Sequence, residues 1–477
     1  MTPLSAVILA AGQGTRMKSE RAKVLHEIGG APLVSYPVKL ALELGAAPTV
    51  LVIGHQGDAV RAALERALPG KLRFALQAEQ RGTGHAVLQA LPALEGFEGR
   101  VLILYGDVPL LRRETIDRLI EVMTKESRAL VAVTMWLEDP AGYGRIIRDA
   151  LGRVAKVVEH KDASPEEREI REGNAGIYLI DSRFLRGALG SLKNENAQGE
   201  YYLTDLVELA AQHPQGAGTV LLQDPREVLG VNDRAQLAEL DAILRQRINQ
   251  RWMREGVTIV DPATTFIGPE VSIGRDTIIR PGAHLRGRTR IGRDCVIDVG
   301  AVLVDAEVSD EVEIRPYTVI EEAEIHPRAI LGPFSRLRPG SEVMEQAHVG
   351  NFVELKKTRL GRGAKANHLA YLGDAKIGEN ANVGAGTITC NYDGFGKYVT
   401  EIGDRVFVGS NATLVAPLKI GEDSYVAAGS TLTEDVGANS LVFGRARQLE
   451  KPGRAAAIRE DAAKKARSAK EKKEKKG

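Results

Sequence analysis

The stretch Ile267–Leu303, IGPEVSIGRDTIIRPGAHLRGRTRIGRDCVIDVGAVL, repeats with a period of six. Ile267, Ile273, Ile279, Leu285, Ile291, Ile297 and Leu303 stand six apart, and four places after each of the first six comes a small or β-branched residue: Val271, Thr277, Ala283, Thr289, Cys295 and Ala301. With roughly one residue in four aliphatic, seven in strict register arise by chance on the order of once in ten thousand. Six matches neither the helical period nor strand alternation. It fits a parallel β-helix of hexapeptides, each a short strand and a turn with its aliphatic pointing inward. The phase slips by one at Val308 and again at Ile325, runs through Leu331, Leu337, Val343, Val349 and Leu355, and returns as Ile402, Val408, Leu414, Ile420, Val426 and Leu432.

At 477 residues the chain is too long for one core and implies two or three domains. A net charge of +1 gives no case for nucleic acid or an anionic membrane surface. Two cysteines, Cys295 and Cys390, make no disulfide framework and suit a reducing cytosol, and Cys295 occupies a small-residue position of the repeat. No signal-peptide pattern and no apolar run of ~18 residues is present, so the expectation is a cytoplasmic protein.

Ahead of the repeat, strand patterns at Leu4 to Ala10, Val50 to Gly54, Leu72 to Gln77, Val101 to Tyr105 and Leu130 to Met135 alternate with helical ones at Val38 to Gly45, Asp58 to Leu68, Gly84 to Leu91 and Glu114 to Glu126. This alternation predicts an α/β domain with a parallel sheet covered on both faces, ligands lying beyond the carboxyl ends of its strands. LAAGQGTRM, Leu9 to Met17, follows the first strand. It lacks the third glycine of a dinucleotide fingerprint and the G-K-[ST] of a Walker loop, yet its glycines let backbone N–H groups approach phosphate oxygens, with Arg16 and Lys23 as nearby cations. From Asn232 to Glu255 apolar Leu237, Leu240, Leu244, Ile248 and Trp252 recur at helical spacing, and Gly256 is placed to end a helix about 30 Å long. Its place between two differently patterned regions predicts a connecting arm.

The hexapeptide register lapses across KKTRLGRGAKANHLAYLGD, between Leu355 and Ile377, and across GAGTITCNYDGFGKYVTE, between Val383 and Ile402. Insertions in a solenoid become loops on one face. These two collect Lys356, His368, Tyr371, Asn382, Asn391 and Tyr392, a polar grouping that reads as a site.

The repeat resembles the left-handed β-helix of the hexapeptide acyltransferases. In the first half, LAAGQGTRM, AEQRGTGHA, YGDVPL, GYGRI, VVEHKDA, NAGIYL, EYYLTD and EVLGVND follow one another as in sugar-phosphate nucleotidyltransferases. With RLRPG, NFVELKK, HLAYLGD, VGSNATLVAP and AAGST in the second half, the chain resembles the bifunctional N-acetylglucosamine-1-phosphate uridyltransferase/glucosamine-1-phosphate acetyltransferase family. Each motif alone is weak; the ordered set is specific.

That resemblance implies a Rossmann-like nucleotidyltransferase domain at residues 1–232 and a left-handed parallel β-helix acetyltransferase domain at 256–454, while the helical spacing reads as a linker helix at 233–255 and the composition as a basic, disordered tail at 455–477. It implies Mg²⁺ on Asp107 and Asn232, and Arg16 and Lys23 as catalytic cations against UTP. Leu9, Ala10, Ala11, Gly12, Gln77, Gly82, Thr83, Tyr105 and Gly106 would surround the nucleotide, and Gly144, Glu159 and Asn174 the amino-sugar. In the second half Arg338, Lys356, Tyr371 and Asn382 would bind glucosamine 1-phosphate, His368 would be the general base, and Ala385, Asn391, Tyr392, Ser410, Ala428 and Arg445 would hold acetyl-CoA. Glu354 is a candidate to orient His368, and Asn367 stands where relatives commonly carry a smaller residue.

The resemblance also implies a homotrimer acting on small molecules, with the acetyl site shared between neighbours and the product feeding cell-envelope synthesis. The rival reading is a single-activity nucleotidyltransferase whose β-helix only assembles subunits. A zinc hydratase on the same coil fits poorly, because His284, His326, His348 and His368 show no closely spaced ligand pair. The lysines of the tail, Lys464, Lys465, Lys470, Lys472, Lys473, Lys475 and Lys476, read as a solvated end rather than an RNA or membrane contact.

Overall fold

The computed structural model describes residues 2–474 and divides into two compact units. One comprises Met1–Glu255 with Asp261–Val271 and Leu285–Gly287; the other comprises Gly256–Val260, Ser272–His284 and Arg288–Gly477.

The first unit is built on a sheet whose central strand, Leu4–Ala10, is buried along nearly its whole length. Thr49–Ile53 and Arg73–Leu76 extend it on one side and Arg100–Tyr105 on the other, all parallel. Both faces are covered by separate apolar cores, one under Ile8, Leu51 and Leu104, the other under Val7, Val50 and Ile103, because side chains alternate across the pleat. The sheet is mixed rather than wholly parallel. Glu172–Asp181 runs antiparallel between Arg100–Tyr105 and Leu130–Trp136, and Arg145–Arg148 with Val154–Val158 forms an antiparallel ribbon beside it. A break in register between Asn174 and Tyr178 bends that strand.

The helix Arg234–Arg254 starts where Asp233 accepts hydrogen bonds from the N–H groups of Ala235 and Gln236, both at 2.9 Å. Its Leu240 packs with Met17, Ile28, Leu33 and Leu110, and Ile248 and Trp252 are also buried. Leu237, Leu240 and Leu244 of the apolar stripe thus close a core of the first unit.

The β-helix consists of three parallel sheets in which every third strand stacks on its predecessor, so one coil spans three hexapeptides. In one sheet Ile279, Ile297, Ile314, Leu331, Val349, Ala366, Val383, Val408 and Val426 stand in register and point inward. The small residues Thr277, Ala283, Thr289, Cys295 and Ala301 are fully buried at the turns. The phase slips have a structural cause. Where a side is five residues long (Leu303 to Val308, Ile320 to Ile325, Leu355 to Leu360 and Leu372 to Ile377) the left-handed corner residue, respectively Asp305, Glu322, Lys357 and Asp374, stands two places after the aliphatic, whereas in six-residue sides such as Ile273 to Ile279 and Ile314 to Ile320 it stands three places after, at Asp276 and Tyr317.

The expected lapse between Leu355 and Ile377 is not an insertion. Leu360, Ala366 and Leu372 continue the inward ladder, two short corners and an alanine having hidden it from a six-residue count. The second lapse is narrower than expected: Thr389 still points inward, and the true insertion runs from Asn391 to Val399. The tail is a second difference. Residues 454–474 form a helix, exposed through residue 470 apart from half-buried Ala457; alanine and lysine favour helix even without an apolar face. Lys475, Lys476 and Gly477 lie outside the described residues. No described helix is long and apolar enough to cross a membrane.

Candidate active sites

Leu9, Ala10, Ala11, Gly12, Lys23, Gln77, Gly82, Thr83, Tyr105 and Asp107, named from the sequence, line one cavity of about 320 Å³ at the carboxyl end of the central strands. Gln80 and Glu200 line it too and were not singled out in advance. Larger hollows elsewhere on the surface, of about 610 and 670 Å³, contain none of the candidate residues.

Gly14, in left-handed conformation, turns the loop so that Lys23 passes where a Cβ would sit, 2.6 Å from its own Cβ. Lys23 Nζ then donates to Asp107 Oδ2 at 2.5 Å, both side chains largely shielded from water. Arg16 donates to Asn232 Oδ1 at 2.8 Å. Val231 N–H binds Asp107 O at 3.0 Å, which holds the Asn232 segment against the loop carrying Asp107. Two oxygen donors are therefore neighbours, each facing a cation. A carboxylate and a carboxamide oxygen suit Mg²⁺, which keeps waters and substrate phosphates for its remaining positions.

Gln77 is buried, its Nε2 donating to Gly82 O at 3.1 Å, while Gln80 donates to Ala11 O at 2.6 Å and ties this wall to the glycine loop. A side chain at Gly82 would meet Tyr201 O at 2.6 Å, so only glycine fits. Gly106 N–H binds Leu9 O at 2.9 Å and continues the floor. Gly144, Glu159 and Asn174 do not line this cavity; the antiparallel strands bring them together beside it. Asn174 N–H binds Gly144 O at 2.8 Å, and a Cβ on Gly144 would lie 3.5 Å from both Glu159 carboxylate oxygens. Tyr105 joins the two groups: Gly176 leaves room for its ring, 2.8 Å from the position a Cβ would take.

Burial pushes the Glu159 carboxyl up, against a 3.2 Å hydrogen bond from Thr204, with Asp162 and Glu200 adding repulsion. Asp205 is raised to about 6 by burial and then by Glu208, Glu159 and Asp162.

On the β-helix, His368 is exposed and its Nδ1 lies 2.9 Å from Asn351 Oδ1, its partner one coil earlier. With an amide oxygen as partner, Nδ1 carries the hydrogen and Nε2 keeps the lone pair that a base needs. Within one chain Glu354 does not contact His368. It stands opposite Tyr371 and accepts from Arg338 at 3.1 Å, because the chain turns a corner through left-handed Phe352 and puts Glu354 on the next sheet. Lys356 donates to Asp374 at 2.9 Å, and Asn391 donates to the same oxygen, Oδ2. Lys397, which carries no signal in the sequence, lies against Lys356, and that neighbour lowers its pKa. Asn367 faces Gly350, where any side chain would strike its carbonyl; its own Oδ1 is buried without a hydrogen-bond partner.

Within one chain these residues form two groups rather than one. Gly386 N–H binds Leu369 O, Asn411 N–H binds Ala385 O and Gly429 N–H binds Ser410 O, at 3.1, 2.7 and 2.8 Å; His368, Ala385, Ser410 and Ala428 thus rise along one corner, with Arg445 beside Gly429. Asn382 lies on the strand leading into that corner. Arg338, Lys356, Asp374, Asn391 and Tyr392 gather at the next corner. The strand Tyr371–Gly373 separates the two, on the order of 15 Å from His368 to Asp374.

A MobA-like NTP transferase domain matches residues 6–189, and bacterial transferase hexapeptide (six repeats) matches residues 400–434. The bifunctional protein GlmU of Anaeromyxobacter dehalogenans is 54% identical over 453 residues, covering 95% of this chain and 92% of that protein. Those of Pelobacter propionicus and Geobacter metallireducens are each 50% identical, covering 95% of this chain and 98% of their own length. A nucleotidyltransferase fold and a hexapeptide coil in one polypeptide, matched over 95% of its length at half identity, place the chain in the bifunctional GlmU family, as a uridyltransferase and acetyltransferase in one.

Proposed function

We propose that the chain makes UDP-N-acetylglucosamine in two steps, with the residues placed above in the following roles. In the first, the amine of glucosamine 1-phosphate attacks the thioester carbon of acetyl-CoA. His368 Nε2 takes the proton that the amine must lose, the C–N bond forms, the C–S bond breaks, and the proton leaves with the thiol. Asn351 holds the ring in the tautomer that permits this. Arg338 and Lys356 balance the sugar phosphate.

In the second step, a phosphate oxygen of N-acetylglucosamine 1-phosphate attacks the α-phosphorus of UTP and pyrophosphate leaves. Two anionic substrates converge, so charge neutralisation and alignment carry the rate. Arg16 and Lys23 supply fixed positive charge, Gln77 and Gly82 face the base, and Glu159 and Asn174 offer an acceptor and a donor to sugar hydroxyls. Asp107 and Asn232 would hold Mg²⁺, which when bound neutralises phosphate charge. The product is a precursor for cell-wall synthesis.

The observation that carries this reading is a pair of cation-faced oxygen donors in one unit together with an exposed, tautomer-fixed histidine in the other. The division of the acetyl-transfer residues between two corners supports assembly, most simply as a trimer in which one copy's His368 corner meets its neighbour's Lys356 corner. An exposed stack beside His368 supports it as well: Tyr317, Phe334 and Phe352 lie ring on ring at 5.3 and 5.6 Å, and Leu369 extends the row. The test supplies glucosamine 1-phosphate, acetyl-CoA, UTP and Mg²⁺ and follows free thiol and pyrophosphate as each is omitted. Omitting UTP stops pyrophosphate alone; omitting acetyl-CoA stops both. Pyrophosphate release at full rate without acetyl-CoA would reject the order.

A further inference from the structure

One carboxylate oxygen on the β-helix serves two partners, one expected to hold the sugar phosphate and the other acetyl-CoA. Asp374 Oδ2 accepts from Lys356 Nζ at 2.9 Å and from Asn391 Nδ2. The side chains of Asp374 and Lys356 are only 14% and 12% exposed. The residue is fixed at every other point too. It forms one of the short corners, in left-handed conformation; its N–H donates to Lys356 O at 2.8 Å, and its O accepts from Thr400 at 3.2 Å. Asn391 begins the insertion in the coil and Thr400 follows its last residue, so Asp374 grips that loop at both ends. Gly373 beside it has no room for a side chain: a Cβ would stand 2.5 Å from the Tyr371 hydroxyl and 2.8 Å from Asn391 Nδ2. Burial pulls the Asp374 carboxyl up, but the bonds from Lys356 and Asn391 outweigh it and hold it below the usual range.

We propose that Asp374 is a positioning residue that couples the acceptor and donor subsites of acetyl transfer, holding the sugar-phosphate lysine and the acyl-donor loop through one shared oxygen. Asp374 itself touches neither substrate. The proposal rests on assigning Lys356 to glucosamine 1-phosphate and Asn391 to acetyl-CoA, and the experiment separates the two claims. A hydrogen bond to a charged group that orders a ligand contact changes affinity by about tenfold or more when lost.

Steady-state acetyl transfer is measured by thiol release for Asp374→Asn, Lys356→Met and Asn391→Ala in the full chain. Asp374→Asn is expected to raise KM for both substrates about tenfold, with kcat within about threefold and pyrophosphate release from preformed N-acetylglucosamine 1-phosphate unchanged. Each partner variant is expected to raise KM for the other's substrate as well as its own, a readout that survives if Asp374→Asn fails to fold. Own-substrate effects without any cross-effect, or a rise for only one substrate in Asp374→Asn, would overturn the coupling alone. No effect of Lys356→Met on the acceptor KM would overturn the subsite assignment and the coupling with it.

Discussion

His368 and Asn351 show what one coil of a solenoid does at the level of a residue. Stacking aligns residues 17 apart, so within one chain the partner that fixes the histidine's tautomer is Asn351, directly one coil back, and not Glu354, which lies on a different strand. Asn351→Ala is therefore expected to lower kcat for acetyl transfer by about tenfold to a hundredfold, while Glu354→Gln leaves kcat nearly intact and raises KM for glucosamine 1-phosphate through Arg338. Thiol-release kinetics distinguish them. In the other unit, Asp205 gives a pH-dependent stability. With its pKa raised to about 6, the folded state binds a proton that the unfolded chain has already released between about pH 4 and 6. Stability is thus lost as pH rises through that window, and the penalty is complete above it. Asp205→Asn should stabilise by about 1–2 kcal/mol at pH 7.5, after discounting for partial exposure, with the gain shrinking below pH 6 and gone near pH 4. Denaturant titrations at three pH values measure it.

Regular elements were readable in the sequence where period and burial agreed. Leu4–Ala10 was predicted with its bounds, and the helices Gly57–Ala67, Thr83–Ala90 and Arg113–Lys125 fall within a residue of their expected ends. The antiparallel strand Glu172–Asp181 escaped, because its glycines and its break near Asn174 interrupt the pattern; yet it delivers Asn174 to Glu159. The coil was legible in its aliphatic ladder and misread at its short corners, where Lys357 and Asp374 remove one residue from a side. Lys397 and Gln80 gave no signal, since a lysine in a loop and a glutamine after a strand are ordinary surface residues until the fold brings them to a site. The ladder itself carries the stability of this element. Ile314 is fully buried between Ile297 and Leu331, and Ile314→Ala should cost about 2–5 kcal/mol, read as a shift in the unfolding transition of the β-helix while the nucleotidyltransferase activity persists at ambient temperature.

For the whole molecule, the two-corner division of the acetyl-transfer residues makes activity a property of the assembly. His368→Ala, inactive in acetyl transfer, and Lys356→Met, slow at low substrate because of its raised KM, should together give more acetyl transfer at low substrate when co-assembled from denatured or co-expressed chains than the two give separately, because some junctions then pair an intact His368 corner with an intact Lys356 corner. No such gain in mixed assemblies would place the complete site within one chain. The central claim is that two separable chemistries share this polypeptide, and one variant tests it most directly. His368→Ala is supplied with acetyl-CoA and glucosamine 1-phosphate in one vessel, and with UTP, Mg²⁺ and preformed N-acetylglucosamine 1-phosphate in another. Thiol release should fall to background while pyrophosphate is released at the rate of the unaltered enzyme; unchanged thiol release, or loss of both activities in a folded variant, would contradict the account.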